Sequence, residues 1–272
     1  MGPPTASGKN NPNWVRRALR AWVPPWRTPE GARTADTAAT SDVVVYAVGD
    51  VHGRLDLLLQ IENKIKADIR SRQPQQSILV MLGDYVDRGP SSSGVIERLT
   101  RREPICNQEV FLRGNHEQVL LDFLDDPKIL EAWSNFGGLE TLYAYGLKPK
   151  LPLSAETCIQ LQDDFRKALP PHHLDFLAAT QLSFETPTHF FVHAGIDPRR
   201  KLSAQYPEAL LWIRSTFLNS NRKFEKIVVH GHTPESAPQI RKNRIGVDTG
   251  AFATGRLTCA AIEAGSCRIL ST

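Results

Sequence analysis

Short apolar runs stopped by glycine alternate with amphipathic stretches along most of the chain. Val43-Val44-Val45-Tyr46-Ala47-Val48 is unbroken and rich in β-branched residues, as expected of a strand buried on both faces. Residues 55–71 then place Leu58, Ile61, Ile65 and Ile69 at helical spacing, which predicts a helix with one buried side. The pairing recurs. Residues 78–82 predict a strand ended by Gly83, and residues 91–102 a helix with Val95, Ile96 and Leu99 on one face. Residues 109–113 predict a third strand ended by Gly114, and residues 117–123 begin another helix. This order predicts an α/β chain of βαβ units whose sheet is covered on both faces.

The rhythm breaks at residues 124–186, which are helical and loop-rich and carry Trp133, Phe136, Tyr143 and Tyr145, with a helix over 155–168. This stretch is expected to be an insertion over the sheet edge that forms one wall of a cleft. Strand patterns return at 188–192, 226–229 and 244–247, and residues 257–270 alternate as a terminal hairpin turning near Gly265. Residues 1–41 are rich in Pro, Ala, Thr and Ser and are expected to form a flexible leader, with residues 42–272 as the folded domain. Within the leader, Trp14, Arg16, Arg17, Leu19, Arg20, Trp22 and Trp26 make a basic, aromatic arm.

Composition narrows the class. An apolar share of 41% and a charged share of 23% are globular values, and 272 residues suffice for one large core. The net charge of +4 is spread along the chain without a long Lys/Arg stripe, which argues against a nucleic-acid partner. No stretch reaches the roughly 18 apolar residues of a membrane span, and the first residues hold no long apolar segment of a secretory signal. Cys106, Cys158, Cys259 and Cys267 form no CxxC pair and are expected to be reduced thiols of a cytoplasmic protein. Oligomeric state is left open.

The chemistry lies in five segments that each follow an apolar run: Gly49-Asp50-Val51-His52-Gly53, Gly83-Asp84-Tyr85-Val86-Asp87-Arg88-Gly89, Gly114-Asn115-His116-Glu117, His193-Ala194-Gly195 and His230-Gly231-His232-Thr233. Side chains at the carboxyl ends of strands converge from distant parts of a chain. These supply carboxylates, an amide oxygen and imidazoles, a set suited to two divalent ions and ill suited to one closed zinc site. Asp50, His52 and Asp84 are expected to hold one ion, and Asp84, Asn115, His193 and His232 the other, with Asp84 shared. Two such ions can bind a hydroxide and neutralise phosphate oxygens.

On these motifs the chain resembles the phosphoprotein phosphatase family of calcineurin-like metallophosphoesterases. GDxHG matches residues 49–53, GDxVDRG residues 83–89 and GNHE residues 114–117, while the segments at His193 and Gly231 resemble its bacterial and phage branch. The resemblance spans about residues 43–252. It implies a central β-sandwich of mixed sheets flanked by helices, with the active site at strand carboxyl ends. It also implies direct attack by a metal-bridging hydroxide. His116 and Asp87 resemble the family's proton-donating pair, Arg88 a phosphate clamp, and Arg214 in Leu211-Trp212-Ile213-Arg214 the branch's second phosphate-binding arginine. His230 is read as standing behind the ligands, Asp248 as hydrogen-bonding a ligand histidine from behind, and Arg113 as forming a supporting ion pair.

The expected cofactors are two divalent ions, Mn²⁺ first, with Fe and Zn also fitting the donors. The first expectation for substrate is phosphoserine and phosphothreonine in proteins, extending to phosphotyrosine, because Asp87-Arg88-Gly89 and Glu117 are kept. The alternative is a symmetrical dinucleoside tetraphosphate or a small phosphoester. For that reading, the aromatic residues of 133–145 offer a base-stacking surface.

Overall fold

A computed structural model describes residues 42–272; the expected leader and its Trp/Arg arm lie outside the described residues. In chain order the elements that frame the site are β1 (Val43–Val48), α1 (Leu55–Arg72), β2 (Gln76–Met81), α2 (Ser92–Arg101), β3 (Gln108–Phe111) and α3 (Asn115–Asp125). Next come α4 (Ile129–Ser134), α5 (Gly138–Ala144), α6 (Ala155–Ala168), α7 (Pro171–Ala179), β4 (Ser183–Glu185) and β5 (His189–Val192). The chain closes with α8 (Pro207–Trp212), α9 (Ser215–Leu218), β6 (Ile227–His230), β7 (Gln239–Ile240), β8 (Arg244–Gly246), α10 (Ala251–Thr254), β9 (Thr258–Glu263) and β10 (Ser266–Ser271).

The strands form two mixed sheets, in the orders β10-β9-β1-β2-β3 and β4-β5-β6-β8-β7. In the first, β1, β2 and β3 run parallel, with Val43 opposite Gln76 and Ile78 opposite Gln108. In the second, β5, β6 and β8 run parallel. Alternation within each apolar run serves two layers. Val45, Ala47, Ile78 and Val80 of one sheet share a core with Phe191, Val229 and Ile245 of the other. Tyr46 points the opposite way, and its hydroxyl donates to Asp68 of α1 across 2.7 Å. Phe190, Val192 and Val228 similarly leave the inter-sheet layer to pack with Leu210 of α8 and Phe217 of α9.

The stretch after α3 covers the free edge of β3. Gln181 returns to that edge, where its N–H donates to Phe111 O at 3.0 Å and its carbonyl accepts from Arg113 N at 2.7 Å. At the opposite end of the sandwich, residues including Val43, Ile78, His189 and Ile227 line a cavity of about 500 Å³ that contains none of the candidate ligands. Among the described residues the four cysteines are free thiols, and no helix is long and apolar enough to cross a membrane.

Candidate active site and metal centre

Asp50 follows β1, Asp84 follows β2, Asn115 opens α3 just after β3, His193 follows β5 and His232 follows β6. These carboxyl ends, drawn from both sheets, meet at one edge of the sandwich. Asp84 Oδ2 lies 3.5 Å from His52 Nε2 and 3.5 Å from His193 Nε2. It therefore stands between two donor groups, His52–Asp84–His116 and Asp84–His193–His232, whose atoms lie within 4.8 Å of one another in each group. His116 joins the expected His52 and Asp84 in the first group. Asp50 lies beneath His232 and accepts from its backbone N–H with both oxygens at 3.1 Å. A side chain at Gly231 would place its Cβ 2.1 Å from Asp50 Oδ1, so glycine is required between the two histidines.

The histidine tautomers follow from carbonyl partners, which can only accept. His52 Nδ1 donates to Val86 O at 2.8 Å and His193 Nδ1 donates to Leu82 O at 2.9 Å. Each therefore turns an Nε2 lone pair inward. His193 Nε2 sits 2.9 Å from Asn115 Oδ1 and 3.1 Å from His232 Nδ1. Among the described residues, His52 Nε2 and His232 Nε2 are buried without a hydrogen-bond partner. Crowded, unprotonated donors fit cations better than they fit each other, and the set suits a binuclear divalent-metal site.

Electrostatics point the same way. Burial raises the Asp84 and Asp50 carboxyls well above the usual range; Glu117 adds to the first, and Asp248 and then Asp84 to the second. Burial also holds His193 down to about 3 and drives His52 and His232 well below the ordinary imidazole range. Positive ions at this place would offset the clustered carboxylates and use the neutral imidazoles.

Backbone strain concentrates here. His52, Asp84, Asp87, Arg88 and His232 all take left-handed φ values, from 45° at His52 to 72° at Asp87. Residues with side chains rarely adopt that conformation unless their surroundings impose it. Glu117 supplies much of the constraint. Its buried carboxylate accepts from the N–H groups of Asp84, Tyr85, Val86 and Gly114 at 2.7–3.3 Å. Burial lifts Glu117 to about 7 against the pull of those four amides.

Asp87 is held as tightly. Its Oδ2 accepts from His116 Nδ1 at 2.6 Å and from Trp133 Nε1 at 2.7 Å, and its Oδ1 accepts from Thr141 Oγ1 at 2.5 Å. Burial raises its carboxyl to about 7, while Thr141, Trp133 and Arg88 oppose the rise. Arg88 Nη2 donates to His116 Nε2 at 3.2 Å. Arg214 is exposed, yet its charge acts on His116, His193 and His232.

Two expectations change. Trp133 is fully buried and Tyr145 bonds His173 through its hydroxyl, so neither offers a face for stacking a base. Of that stretch Phe136 does reach the rim, beside His116, where it is joined by Trp212 beside His232 and Phe252 beside His52. Asp248 hydrogen-bonds Asp50 and the Gly250 N–H, the latter at 2.8 Å, rather than backing a ligand histidine. Arg113 is buried and donates to Thr180 Oγ1, Gln118 Oε1 and Ala178 O, with the charges of Glu117 and Asp122 acting on it. His230 ends β6 with its ring edge-on to Phe217, and it is His232 whose nitrogen meets His193.

Comparison with known proteins extends this picture. A model of the calcineurin-like phosphoesterase family matches residues 43–259. Serine/threonine-protein phosphatase 1 of Salmonella typhimurium strain LT2 is 30% identical over 80% of this chain and 92% of its own. The asymmetrical bis(5'-nucleosyl)-tetraphosphatase PrpE of Oceanobacillus iheyensis is 27% identical over 78% of this chain and 85% of its own. A crystal structure provisionally described as a diadenosine tetraphosphatase shares the fold, with a TM-score of 0.53 and 20% identity over 85% of this chain and 98% of its own. The family match runs from the first residue of β1 into β9 and so takes in every strand that delivers a donor. On that match the chain belongs to the calcineurin-like phosphoesterase family, as a metal-dependent hydrolase of phosphate esters with a binuclear centre.

Proposed function

We propose that the chain hydrolyses dinucleoside polyphosphates of the tetraphosphate class. The observation that carries this reading is Phe252. Its ring is 37% exposed and lies under the Arg88 guanidinium, 4.7 Å from ring centroid to Arg88 Cζ. A phosphate-binding fork and a part-exposed aromatic ring therefore adjoin at the mouth of the donor cluster, and the ring face now under Arg88 is freed when that guanidinium turns to phosphate, which suits a ligand that carries a base beside a polyphosphate. The relatives that act on dinucleoside tetraphosphates support the same substrate class.

Asp50, His52 and Asp84 would hold one divalent ion, and Asp84, Asn115, His193 and His232 the other. Those ions would supply Lewis-acid charge and an acidified water. Mn²⁺ is our first choice among ions that fit oxygen and imidazole donors. Arg88 and Arg214 bind the non-bridging oxygens of the attacked phosphoryl group. Arg88 must swing from His116 Nε2 to do so, which frees that lone pair to take up a solvent proton and pass it to the departing oxygen. Asp87 holds the Nδ1–H of the same ring and orients it. Water adds to phosphorus and gives up a proton to solvent, the bond to the bridging oxygen breaks, and the leaving nucleotide departs with the electron pair.

A second reading, dephosphorylation of phosphoserine and phosphothreonine in proteins, is favoured by the 30% identity to the Salmonella phosphatase. The deciding experiment compares kcat/KM under Mn²⁺ for diadenosine tetraphosphate, a phosphoserine peptide and a phosphotyrosine peptide. We expect the dinucleotide to lead, and Phe252→Ala to raise its KM about tenfold or more while leaving the peptides within about twofold. Two ADP would mark symmetrical cleavage, and AMP with ATP asymmetrical cleavage. A phosphoserine peptide preferred over the dinucleotide would overturn the proposal.

A further inference from the structure

We propose that Glu97, His172 and His173 form a further metal site, for a zinc-type divalent ion, outside the binuclear centre. The three residues come from two helices. Glu97 lies on α2, and His172 and His173 lie in the first turn of α7. Neighbouring residues on a helix normally point about 100° apart. Here both side chains turn to one acceptor: Glu97 Oε2 is 2.7 Å from His172 Nε2 and 2.8 Å from His173 Nε2. The donor atoms lie within 4.8 Å of one another, and the two rings meet edge to face with centroids 4.5 Å apart.

Two imidazoles and one carboxylate with an open side form a donor set zinc accepts, a solvent molecule taking the fourth position. Bonds of about 2.0–2.2 Å would spread the donors to roughly 3.3 Å in a tetrahedral site, a movement that half-exposed Glu97 and His172 can make.

His173 is the anchored member. It is 2% exposed, and its Nδ1 lies 2.9 Å from Tyr145 Oη. Without an ion Nε2–H donates to Glu97; with an ion bound the proton would move to Nδ1 and face that hydroxyl, the outer partner that ligating histidines usually have, leaving the Nε2 lone pair for the metal. Tyr145 caps α5, the helix that carries Thr141, while α2 begins with Ser92; Thr141 Oγ1 and Ser92 Oγ both accept from the Asp87 N–H. An ion at this place would join α2 to α7 and, through Tyr145, to α5, bracing the elements that hold Asp87.

Equilibrium dialysis of the full chain at a buffered micromolar level of free Zn²⁺, with bound metal counted by plasma emission, tests the assignment. We expect the wild type to hold one equivalent more than His172→Ala or Glu97→Gln. Asp84→Asn, which depletes the binuclear centre, should keep that equivalent. Zn²⁺ should also raise the Tm of Asp84→Asn but not of Asp84→Asn combined with His172→Ala. Equal zinc content in wild type, His172→Ala and Glu97→Gln would overturn the proposal, as would equal Tm shifts in the two Asp84→Asn backgrounds.

Discussion

The Trp133 indole N–H donates to Asp87 Oδ2 across 2.7 Å, so a ring at the heart of the helical stretch after α3 governs the carboxylate that meets His116. Asp87 is raised to about 7 by burial, and the indole is one of the groups holding it down. The ionised form accepts His116 Nδ1–H. Activity should therefore be full above the Asp87 pKa and fall as pH drops through about 7. Trp133→Phe keeps an aromatic ring against Phe123 and Phe165 but removes the donor. A lost hydrogen bond to a charged group is worth about 1.5–3 kcal/mol, which moves the acidic limb of kcat/KM upward by roughly one to two pH units. A limb that stays in place would separate Trp133 from Asp87 ionisation.

Asp84 is the member common to both donor groups, with its Oδ2 at 3.5 Å from a histidine of each. Asparagine preserves shape and removes the charge that two cations would share. Asp84→Asn should lower metal content below two equivalents and cut kcat by more than about 100-fold. Plasma emission on dialysed protein and initial rates at saturating Mn²⁺ check both. Two equivalents retained at wild-type affinity would rule out a bridging role.

The expected bounds of β1 and of the helix at 155–168 coincide with the structure because period and turn chemistry act locally there. The glycine-bounded segments were legible for a related reason: a donor just past a parallel strand has one edge to face. Short β4 and β7, and α8 to α10, carry too few residues to show a period. The supports of the site were hidden more deeply. Glu117 reaches back to Tyr85, and Trp133 and Thr141 reach Asp87, through contacts that no local pattern encodes. Trp133 shows the consequence. Its residue type suggested a stacking face, whereas its ring is buried and its N–H serves the acid pair. Phe252, within four-residue α10, gave no signal beyond being aromatic, yet it lies beside both His52 and Arg88.

His116 discriminates between the two substrate classes through the leaving group. An alkoxide leaving from phosphoserine needs a proton in the transition state, and loss of the donor should slow that reaction by about 10²–10⁴-fold. A phosphate leaving from a polyphosphate is a far weaker base and needs little protonation. His116→Ala should therefore reduce turnover of diadenosine tetraphosphate at least about tenfold less than turnover of a phosphoserine peptide. Metal content measured on the same samples isolates the proton-transfer role, since His116 Nε2 also lies 3.8 Å from Asp84 Oδ2. Equal losses on both substrates with metals retained would contradict this dependence on the leaving group.

Glu117 carries the most testable structural burden of the site. Oε2 accepts from the N–H groups of Asp84 and Gly114, each at 2.8 Å, and Oε1 from those of Tyr85 at 2.7 Å and Val86 at 3.3 Å. Only a carboxylate can face four donors with two oxygens. In Glu117→Gln one end becomes NH₂, and whichever way the amide turns, two backbone N–H groups point at a donor inside a buried loop. Each unsatisfied group is worth about 1–3 kcal/mol, so the variant should lose roughly 2–6 kcal/mol of stability. Asp84, Asp87 and Arg88 hold left-handed φ values in the same loop and should relax once that hold is lost, weakening metal binding as well. Urea denaturation with an unchanged m-value reads the stability loss, and metal dialysis reads the relaxation. A midpoint equal to wild type would mean that the strained loop is held by its own residues and not by α3.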